Sequence, residues 1–211
     1  KHHLRVLSES CRYRWVLQDA DWDPGTDLGH PELFRPSLKI NSFHYGYSLE
    51  ARDHNGNNPL VLYNQSKPIA DLEDYLALIR QVLQQKQQAG CVALKLSIAY
   101  ARGLDFKATS REAAQAALDR AGNSTTEEIR HFQDYIFFQI CRMAAELNLP
   151  IQVHTGTGVL HKTNAMHLAE VIKKNPDTHF VLLHCSYPWL ADTPALLARF
   201  PNTSCDLAWL P

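Results

Sequence analysis

The sequence predicts an α/β fold built around a parallel β-sheet. Along the second half of the 211-residue chain, short apolar runs of strand length alternate with longer stretches whose apolar residues have helical spacing. Runs such as Phe180–Leu183 are apolar without alternation, which is typical of strands buried on both faces. Strands of this kind joined by helices form a parallel sheet, either doubly wound or closed into a barrel. Periodicity alone does not choose between these two forms.

The first clear unit is a helix followed by a strand. Asp71 is placed to cap the start of the helix and Gly90 to end it. The apolar residues between them recur at helical spacing, namely Leu72, Tyr75, Leu76, Ile79, Val82 and Leu83. The run Cys91–Leu96 then predicts a buried strand.

The second unit begins with Ser124-Thr125-Thr126-Glu127, which fits a capping box between Ser124 and Glu127. An apolar stripe runs from Ile129 to Leu147, and Pro150 bars further helix. The strand Ile151–His154 follows.

The remaining units are shorter. A third helix carries Leu168–Ile172 and stops before Pro176, and the strand Phe180–His184 comes next. A short helix through Leu196 and Leu197 leads to a last strand, Ser204–Trp209.

The first 70 residues are less regular, although Arg14–Asp19 and Leu38–Phe43 are plausible strands. Residues 44–70 read as a long excursion, which in a compact domain is usually a functional lid or a disordered segment. Residues 1–211 are predicted to form one domain.

Composition limits the function classes. Hydrophobic residues are 45% and charged residues 20% of the chain, which is typical of a globular protein. A formal charge of -1 provides no general attraction to nucleic acid or to an anionic membrane.

The sequence also lacks the features of a membrane or secreted protein. No apolar run approaches the roughly 18 residues of a membrane helix, and the first residues do not resemble a signal peptide. Five scattered cysteines indicate free thiols in a reducing, cytoplasmic compartment.

Polar side chains stand at the carboxyl ends of several predicted strands. His154 and His184 each end a strand, Lys95 lies in a third strand and Asp206 in a fourth. In parallel α/β folds this edge of the sheet holds the ligand, so these side chains are expected to converge. The alternatives are a structural histidine, a lysine whose amine reaches solvent, and an aspartate that bonds a loop amide. His44 follows a possible strand and is expected to line the same face.

Several motifs are incomplete. His161 occupies the third glycine position of a G-x-G-x-x-G pattern that begins at Gly156. No P-loop, G-x-S-x-G or H-E-x-x-H sequence occurs. Cys185 follows His184 directly, and adjacent strand residues point to opposite faces, so a catalytic Cys-His pair is not expected.

Three segments resemble the amidohydrolase superfamily, and most of all its amidohydrolase-2 branch, which includes the amidohydrolase-like domain fused to some glutamine synthetases. These segments are Leu149–Gly158, Val181–Pro188 and Pro201–Leu207. Leu94–Asp105 is similar to the fourth-strand segment of that branch. The likeness covers roughly residues 90–211 well and the first 90 in outline.

The resemblance implies a (β/α)₈ TIM barrel with a divalent metal ion, zinc, at the carboxyl end of its strands. It implies that His154 is a metal ligand and that His184 is catalytic. It implies that Lys95, Tyr100 and Arg102 bind the substrate, and a lysine with an arginine suits a carboxylate.

Two features of the family pattern are missing. Family members carry His-x-His on the first strand and an aspartate on the eighth, whereas His2 and His3 are adjacent and would face opposite ways in a strand. A full barrel takes about 250 residues. We therefore expect an incomplete barrel that runs from the second strand to the seventh, and catalytic zinc normally needs about three protein ligands.

The predicted function is that of a metal-dependent hydrolase acting on a small, carboxylate-bearing substrate through metal-activated water. Open alternatives are a related decarboxylase or isomerase on the same barrel, a non-catalytic barrel used for binding or assembly, and a doubly wound binding protein. The expected partner is a small-molecule substrate, and a homo-oligomer is allowed.

Overall fold

Six parallel strands form one sheet in which each strand lies beside the next strand of the chain. The structure is a computed structural model that describes residues 2–120 and 122–210. The strands are β1 (Val16–Asp19), β2 (Phe34–Lys39), β3 (Ala93–Leu96), β4 (Ile151–His154), β5 (Phe180–Leu183) and β6 (Thr203–Cys205). A doubly wound sheet reverses its strand order at a switch point, and this one does not. The winding is that of a (β/α)₈ barrel, with six strands in the described part of the chain.

Helices connect the strands from β2 onward and cover the outside of the sheet, whereas residues 20–33, between β1 and β2, form turns. The α-helices are α1 (His2–Arg5), α2 (Pro59–Tyr63), α3 (Leu72–Gln88), α4 (Arg111–Asp119), α5 (Thr126–Glu146), α6 (Ala169–Lys174) and α7 (Asp192–Arg199). A π-helix spans Val6–Ser10, and short 3₁₀ segments span Asn41–Tyr45, Ile98–Tyr100, Leu160–Lys162, Ala165–Leu168 and His184–Ser186. The predicted alternation of strand and helix is confirmed.

The core lies between the sheet and the two longest helices. From α3 and α5, Ile79, Phe132 and Ile136 are fully buried against strand residues such as Leu94 and Ile151. Burial of each such side chain contributes about 1.5–3 kcal/mol. Packing of this amphipathic face therefore holds β3 and β4 in place, and with them the side chains at their carboxyl ends.

Two predicted strands differ clearly from the structure in their boundaries. Strand β2 spans Phe34–Lys39 rather than Leu38–Phe43, because residues after Ile40 turn into a 3₁₀ segment. The predicted last strand ends at Cys205, and the residues up to Trp209 form a turn.

The capping box of α5 is one residue later than predicted. Thr125, not Ser124, caps the helix, and Glu128 completes the box by accepting from the Thr125 backbone N–H at 2.8 Å. The Ser124 hydroxyl instead donates to the carbonyl of Ala117. Both registers contain a hydroxyl followed by a glutamate three residues later, so the sequence pattern fits either.

The excursion over residues 44–70 is ordered and reaches the carboxyl edge of the sheet. Asn58 caps α2 and donates to the carbonyls of Ser48 and Ala51 at 2.8 and 2.7 Å. Asn57 donates to the carbonyl of Asp21, just beyond β1, at 2.7 Å. The excursion is thereby fixed beside the strand ends. Across residues 2–120 and 122–210, no helix has the length and apolar character needed to cross a membrane.

Candidate functional site

A pocket of about 430 Å³ opens at the carboxyl edge of the sheet, and residues near or after the end of every strand line it. Its lining consists of Asp19, Asp21, Lys39, His54, Asn55, Lys95, Ser97, Tyr100, His154, His184 and Trp209. The expected convergence of Lys95, His154 and His184 is thus present. Tyr100, which was also expected at the site, lines the pocket too and lies in the short 3₁₀ turn after β3.

Two lysines stand side by side in the pocket. Lys39 of β2 and Lys95 of β3 are register partners, and both are almost fully buried, at 6% and 7% exposure. Lys39 is paired with Asp21 and lies 3.5 Å from an oxygen of Asp19. Lys95 forms no ion pair with a carboxylate of the described chain. It is therefore the cation of this pocket that is open to an anionic ligand.

The two predicted site histidines form a pair with fixed orientation. Their ring centroids are 4.7 Å apart. His154 Nε2–H donates to the carbonyl of Thr157 at 2.6 Å, and His184 Nδ1–H donates to the carbonyl of Ala208 at 3.0 Å. Because a carbonyl only accepts, each ring must carry its proton on the bonded nitrogen. The other ring nitrogen, Nδ1 of His154 and Nε2 of His184, keeps a free lone pair.

A left-handed turn after β5 positions His184. Residues His184, Cys185 and Ser186 have φ of 65°, 46° and 59°, a conformation that costs of order 1 kcal/mol or more for each non-glycine residue. Hydrogen bonds hold it: His184 N–H donates to Asp206 Oδ1 at 2.6 Å, and Ser186 N–H donates to Thr155 Oγ1 at 3.1 Å. Asp206 thus bonds loop amides, which is the alternative role that the sequence left open for it.

Aromatic rings pack against the histidine pair on both sides. The indole of Trp209 stacks on His184 with centroids 4.2 Å apart and a 4° angle between planes. The ring of Tyr100 lies 4.6 Å from that of His154, and His54 lies 5.1 Å from Tyr100. These rings, most of which are tilted relative to one another, form one wall of the pocket that Lys95 also lines.

Burial sets the charge of the central groups. It lowers the pKa of His154 to about 4 and lowers the pKa of His184, so both rings are neutral near pH 7. Burial also lowers the pKa of Lys95 to about 8, which leaves most of the amine protonated at neutral pH. The pocket therefore combines one available cation with two neutral bases.

Arg102 does not line this pocket, although the resemblance implies a substrate-binding role. Its guanidinium donates to Asp134 at 2.8 Å and to Gln133 at 3.1 Å, and it lies 4.3 Å over the ring of Phe106. The turn after the 3₁₀ segment directs Arg102 toward α5 instead of the strand ends. This placement does not support substrate binding by Arg102.

His44 is also absent from the pocket, contrary to the expectation from its place after a strand. The 3₁₀ segment that replaces the end of the predicted strand turns its ring into the core, where it is fully buried between Phe106 and Phe137, with centroids 6.0 Å from each. Its Nδ1–H donates to Asn41, and its Nε2 has no hydrogen-bond partner among the described residues.

Several pocket residues were not singled out from the sequence. They are Asp19, Asp21, Lys39, His54, Asn55, Ser97 and Trp209. One signal existed: Leu38-Lys39 and Leu94-Lys95 place a lysine after a leucine in two apolar runs. Residues from the excursion, His54 and Asn55, carry no such signal.

The described residues do not by themselves fit a catalytic metal ion. The free nitrogens of His154 and His184 suit a metal chemically, since each ring donates its other N–H to a carbonyl. However, residues 2–120 and 122–210 hold no group of three His, Cys, Asp or Glu side chains suited to one ion. Catalytic zinc takes about three protein ligands, and the other polar groups that line this pocket include the ammonium of Lys95.

Sequence comparison supports the resemblance to the amidohydrolase superfamily. Residues 123–211, which include β4, β5, β6 and both site histidines, match the family described as Amidohydrolase. The resemblance to the amidohydrolase superfamily is confirmed. Protein fluG of Emericella nidulans is 32% identical over 133 residues, which cover 55% of this chain. This chain spans only 15% of the length of fluG.

Several solved structures share the fold of this chain. A candidate metal-dependent hydrolase from Lactobacillus casei aligns over 96% of this chain with a TM-score of 0.73 and 18% identity. The uronate isomerase of Thermotoga maritima aligns over 95% with a TM-score of 0.72 and 16% identity. The glucuronate isomerase of Caulobacter crescentus gives a TM-score of 0.68 at 14% identity over 95% of the chain. This chain covers 53%, 50% and 47% of those structures, and identities this low establish the fold alone.

Proposed function

We propose that the pocket is the active site of an amidohydrolase-type enzyme and that its substrate is a small molecule with a carboxylate. The observation that carries this proposal is Lys95: it is buried at the pocket, mostly protonated at neutral pH and unpaired among the described residues. A substrate carboxylate would supply the missing counter-charge. Hydrogen bonds to a charged partner are stronger than neutral ones, at about 1.5–3 kcal/mol.

The bound substrate would lie against the ring wall. With its carboxylate on Lys95, the rest of a small molecule contacts the rings of Tyr100 and Trp209. Trp209 also excludes water from one face of His184, which it covers at 4.2 Å. The substrate is thereby oriented toward the histidine pair.

His184 is proposed as the general base. Its Nε2 has a free lone pair, the ring is neutral at pH 7, and the Ala208 carbonyl fixes its orientation. In hydrolysis it would take a proton from the attacking water, and the protonated ring would return it to the leaving group. His154, held by the carbonyl of Thr157, would stabilise the positive charge that develops on the neighbouring His184 ring.

No metal step is part of this proposal, because the described residues supply two free ring nitrogens where catalytic zinc needs about three protein ligands. The zinc prediction from the family resemblance is tested separately by elemental analysis of the purified protein. We expect no stoichiometric zinc bound by the residues described here.

Isomerisation is the second candidate. Two of the structures with this fold are uronate and glucuronate isomerases. A pair of neutral histidines beside a protonated amine is able to move a proton between two carbons of a substrate without water.

The test compares hydrolysis of small amide and ester carboxylates with isomerisation of uronates by the purified protein. Lys95→Met should raise KM for the carboxylate substrates, whereas His184→Ala should lower kcat with little change in KM. Lys173→Met, which removes an exposed lysine of α6, is the matched control. Binding of carboxylates that needs Lys95 with no turnover of any member of the panel would instead favour the non-catalytic barrel.

A further inference from the structure

The pocket has an acidic end that the proposed chemistry does not use. Asp19 is the last residue of β1 and Asp21 comes two residues later, and both side chains line the pocket at 36% and 38% exposure. The two carboxylates share one cation, Lys39, which is paired with Asp21 and lies 3.5 Å from Asp19 Oδ2. Two carboxylates against one ammonium leave a formal charge of -1 at this end.

The opposite charge of the pocket is on Lys95. It lies one strand further along the sheet than Lys39, is 7% exposed and pairs with no carboxylate of the described chain. Burial lowers the pKa of all three histidines that line the pocket, so the remaining charges are two carboxylates and two ammonium groups, which cancel. A simple anion on Lys95 would leave the acidic end without a counter-charge. A ligand with a positive and a negative group, and no net charge, satisfies both ends.

A third hydrogen-bond acceptor lines the same pocket. Asn55 belongs to the ordered excursion, and its buried Oδ1 has no hydrogen-bond partner among the described residues. Asn57, close by in the chain, donates to the carbonyl of Asp21 at 2.7 Å and so holds this part of the excursion beside the end of β1. A buried acceptor without a donor is costly, and an ammonium group has three donors and no acceptor. Asp19, Asp21 and Asn55 therefore suit a ligand ammonium group.

The separation of the two charged ends sets the size of the ligand. Only β2 lies between β1 and β3, so the backbones that carry Asp19 and Lys95 are about 10 Å apart. In an α-amino acid the ammonium nitrogen and the carboxylate oxygens are about 3 Å apart by standard bond lengths. A charge-assisted hydrogen bond of about 2.8 Å at each end extends this reach to about 9 Å. The charged groups of an α-amino acid therefore match the two ends in scale.

We propose that the pocket binds an α-amino acid, with its carboxylate on Lys95 and its ammonium group on Asp19 and Asp21. This inference rests on the proposed role of Lys95 as the carboxylate site. His154 ends β4 and His184 follows β5, so both lie on the other side of Lys95 from Asp19. The group that reacts is therefore carried by the side chain of the amino acid, and a side-chain amide or ester is the group that meets the histidine pair.

The experiment measures binding by calorimetry at pH 7 with three probes that the protein has no group to hydrolyse. L-norvaline carries both charged groups, pentanoate lacks the ammonium group, and butylamine lacks the carboxylate. We expect L-norvaline to bind at least about tenfold more tightly than either of the others, since each hydrogen bond between charged groups is worth about that much.

The probes separate this inference from the proposed function. Pentanoate that binds as tightly as L-norvaline, or more tightly, overturns the amino acid and leaves the carboxylate site on Lys95 standing. Absence of binding by both L-norvaline and pentanoate overturns the inference together with that carboxylate site.

An isosteric variant tests the acidic end. Asp19→Asn keeps the shape of the side chain and removes its charge, and Asp19 is chosen because Asp21 forms the closer pair with Lys39. The preference for L-norvaline over pentanoate should fall about tenfold in this variant, whereas Asp177→Asn, at an exposed site before β5, should keep it. Both affinities are measured on one protein, so a general loss of folded protein does not change their ratio. A preference unchanged by Asp19→Asn would refute the placement of the ammonium group.

Discussion

Replacement of the buried His44 should make the stability of the protein less sensitive to acid. The ring is fully buried between two phenylalanines, and one of its nitrogens lacks a hydrogen-bond partner among the described residues. Burial, and after it the charge of Arg102, lowers the pKa of His44 to about 3. In the unfolded chain the ring has its ordinary pKa of 6.5.

The sign and size of this pH effect on the free energy of unfolding follow from proton linkage. Above pH 6.5 the ring is neutral in both states, so it adds no pH dependence. As the pH falls below 6.5 the unfolded chain takes up a proton and the folded chain does not, so folding becomes less favourable until about pH 3. The difference between the two pKa values of His44 corresponds to about 5 kcal/mol in total, and to about 3 kcal/mol between pH 7 and pH 4.5.

The assay is urea unfolding followed by tryptophan fluorescence at pH 7 and pH 4.5, for the wild type and for His44→Asn. The asparagine keeps a donor near the position of Nδ1 and removes the titrating ring. Between the two pH values the wild type should lose about 3 kcal/mol more than the variant. His161→Asn, at an exposed site, is the control and should follow the wild type. Equal losses in the wild type and in His44→Asn would refute the reasoning.

Three further predictions concern the fold and the pocket. Thr125→Ala should cost about 1 kcal/mol in urea unfolding as a lost helix cap, and Ser124→Ala should cost less; the reverse order would contradict the observed cap. Gly156→Ala should lower the thermal midpoint far more than Gly56→Ala. Both glycines have φ near 82°, so the backbone strain is similar in the two variants. A new Cβ at Gly156 would lie 2.0 Å from the carbonyl oxygen of Tyr187, whereas a Cβ at Gly56 would face open space. Similar midpoints for the two variants would count against this close approach of Gly156 to Tyr187. The affinity for small carboxylates, measured by calorimetry, should fall as the pH rises through about 8, since Lys95 loses its charge there; an affinity unchanged across that range would exclude Lys95 as the anion partner.

The sequence predicts the fold class well because burial leaves a strong apolar signal in the central strands β3, β4 and β5. The same signal places His154 and His184 at strand ends, and the structure brings their rings to 4.7 Å. Lys95 is found for the same reason. A polar residue inside an apolar run is conspicuous.

The rest depends on register and on loop paths, which local pattern does not encode. Lys39 pairs in register with Lys95, but the predicted strand began at Leu38 and continued to Phe43, so its place near a strand end was hidden. Arg102 and His44 follow strands at similar distances, yet short 3₁₀ turns direct them into the protein interior. The contribution of His54 comes from the ordered excursion, whose hydrogen bonds to distant segments have no sequence signature.

The simple strand order of the sheet also bears on how the chain acquires its structure during synthesis. Each strand from β2 to β6 pairs with the strand made immediately before it. An emerging βα unit therefore finds its partner already outside the ribosome and never waits for a later segment. Sheet growth can proceed from the amino-terminal side one unit at a time. Within the described segment, the stacking of Trp209 on His184 requires that the residues after β6 have already been made.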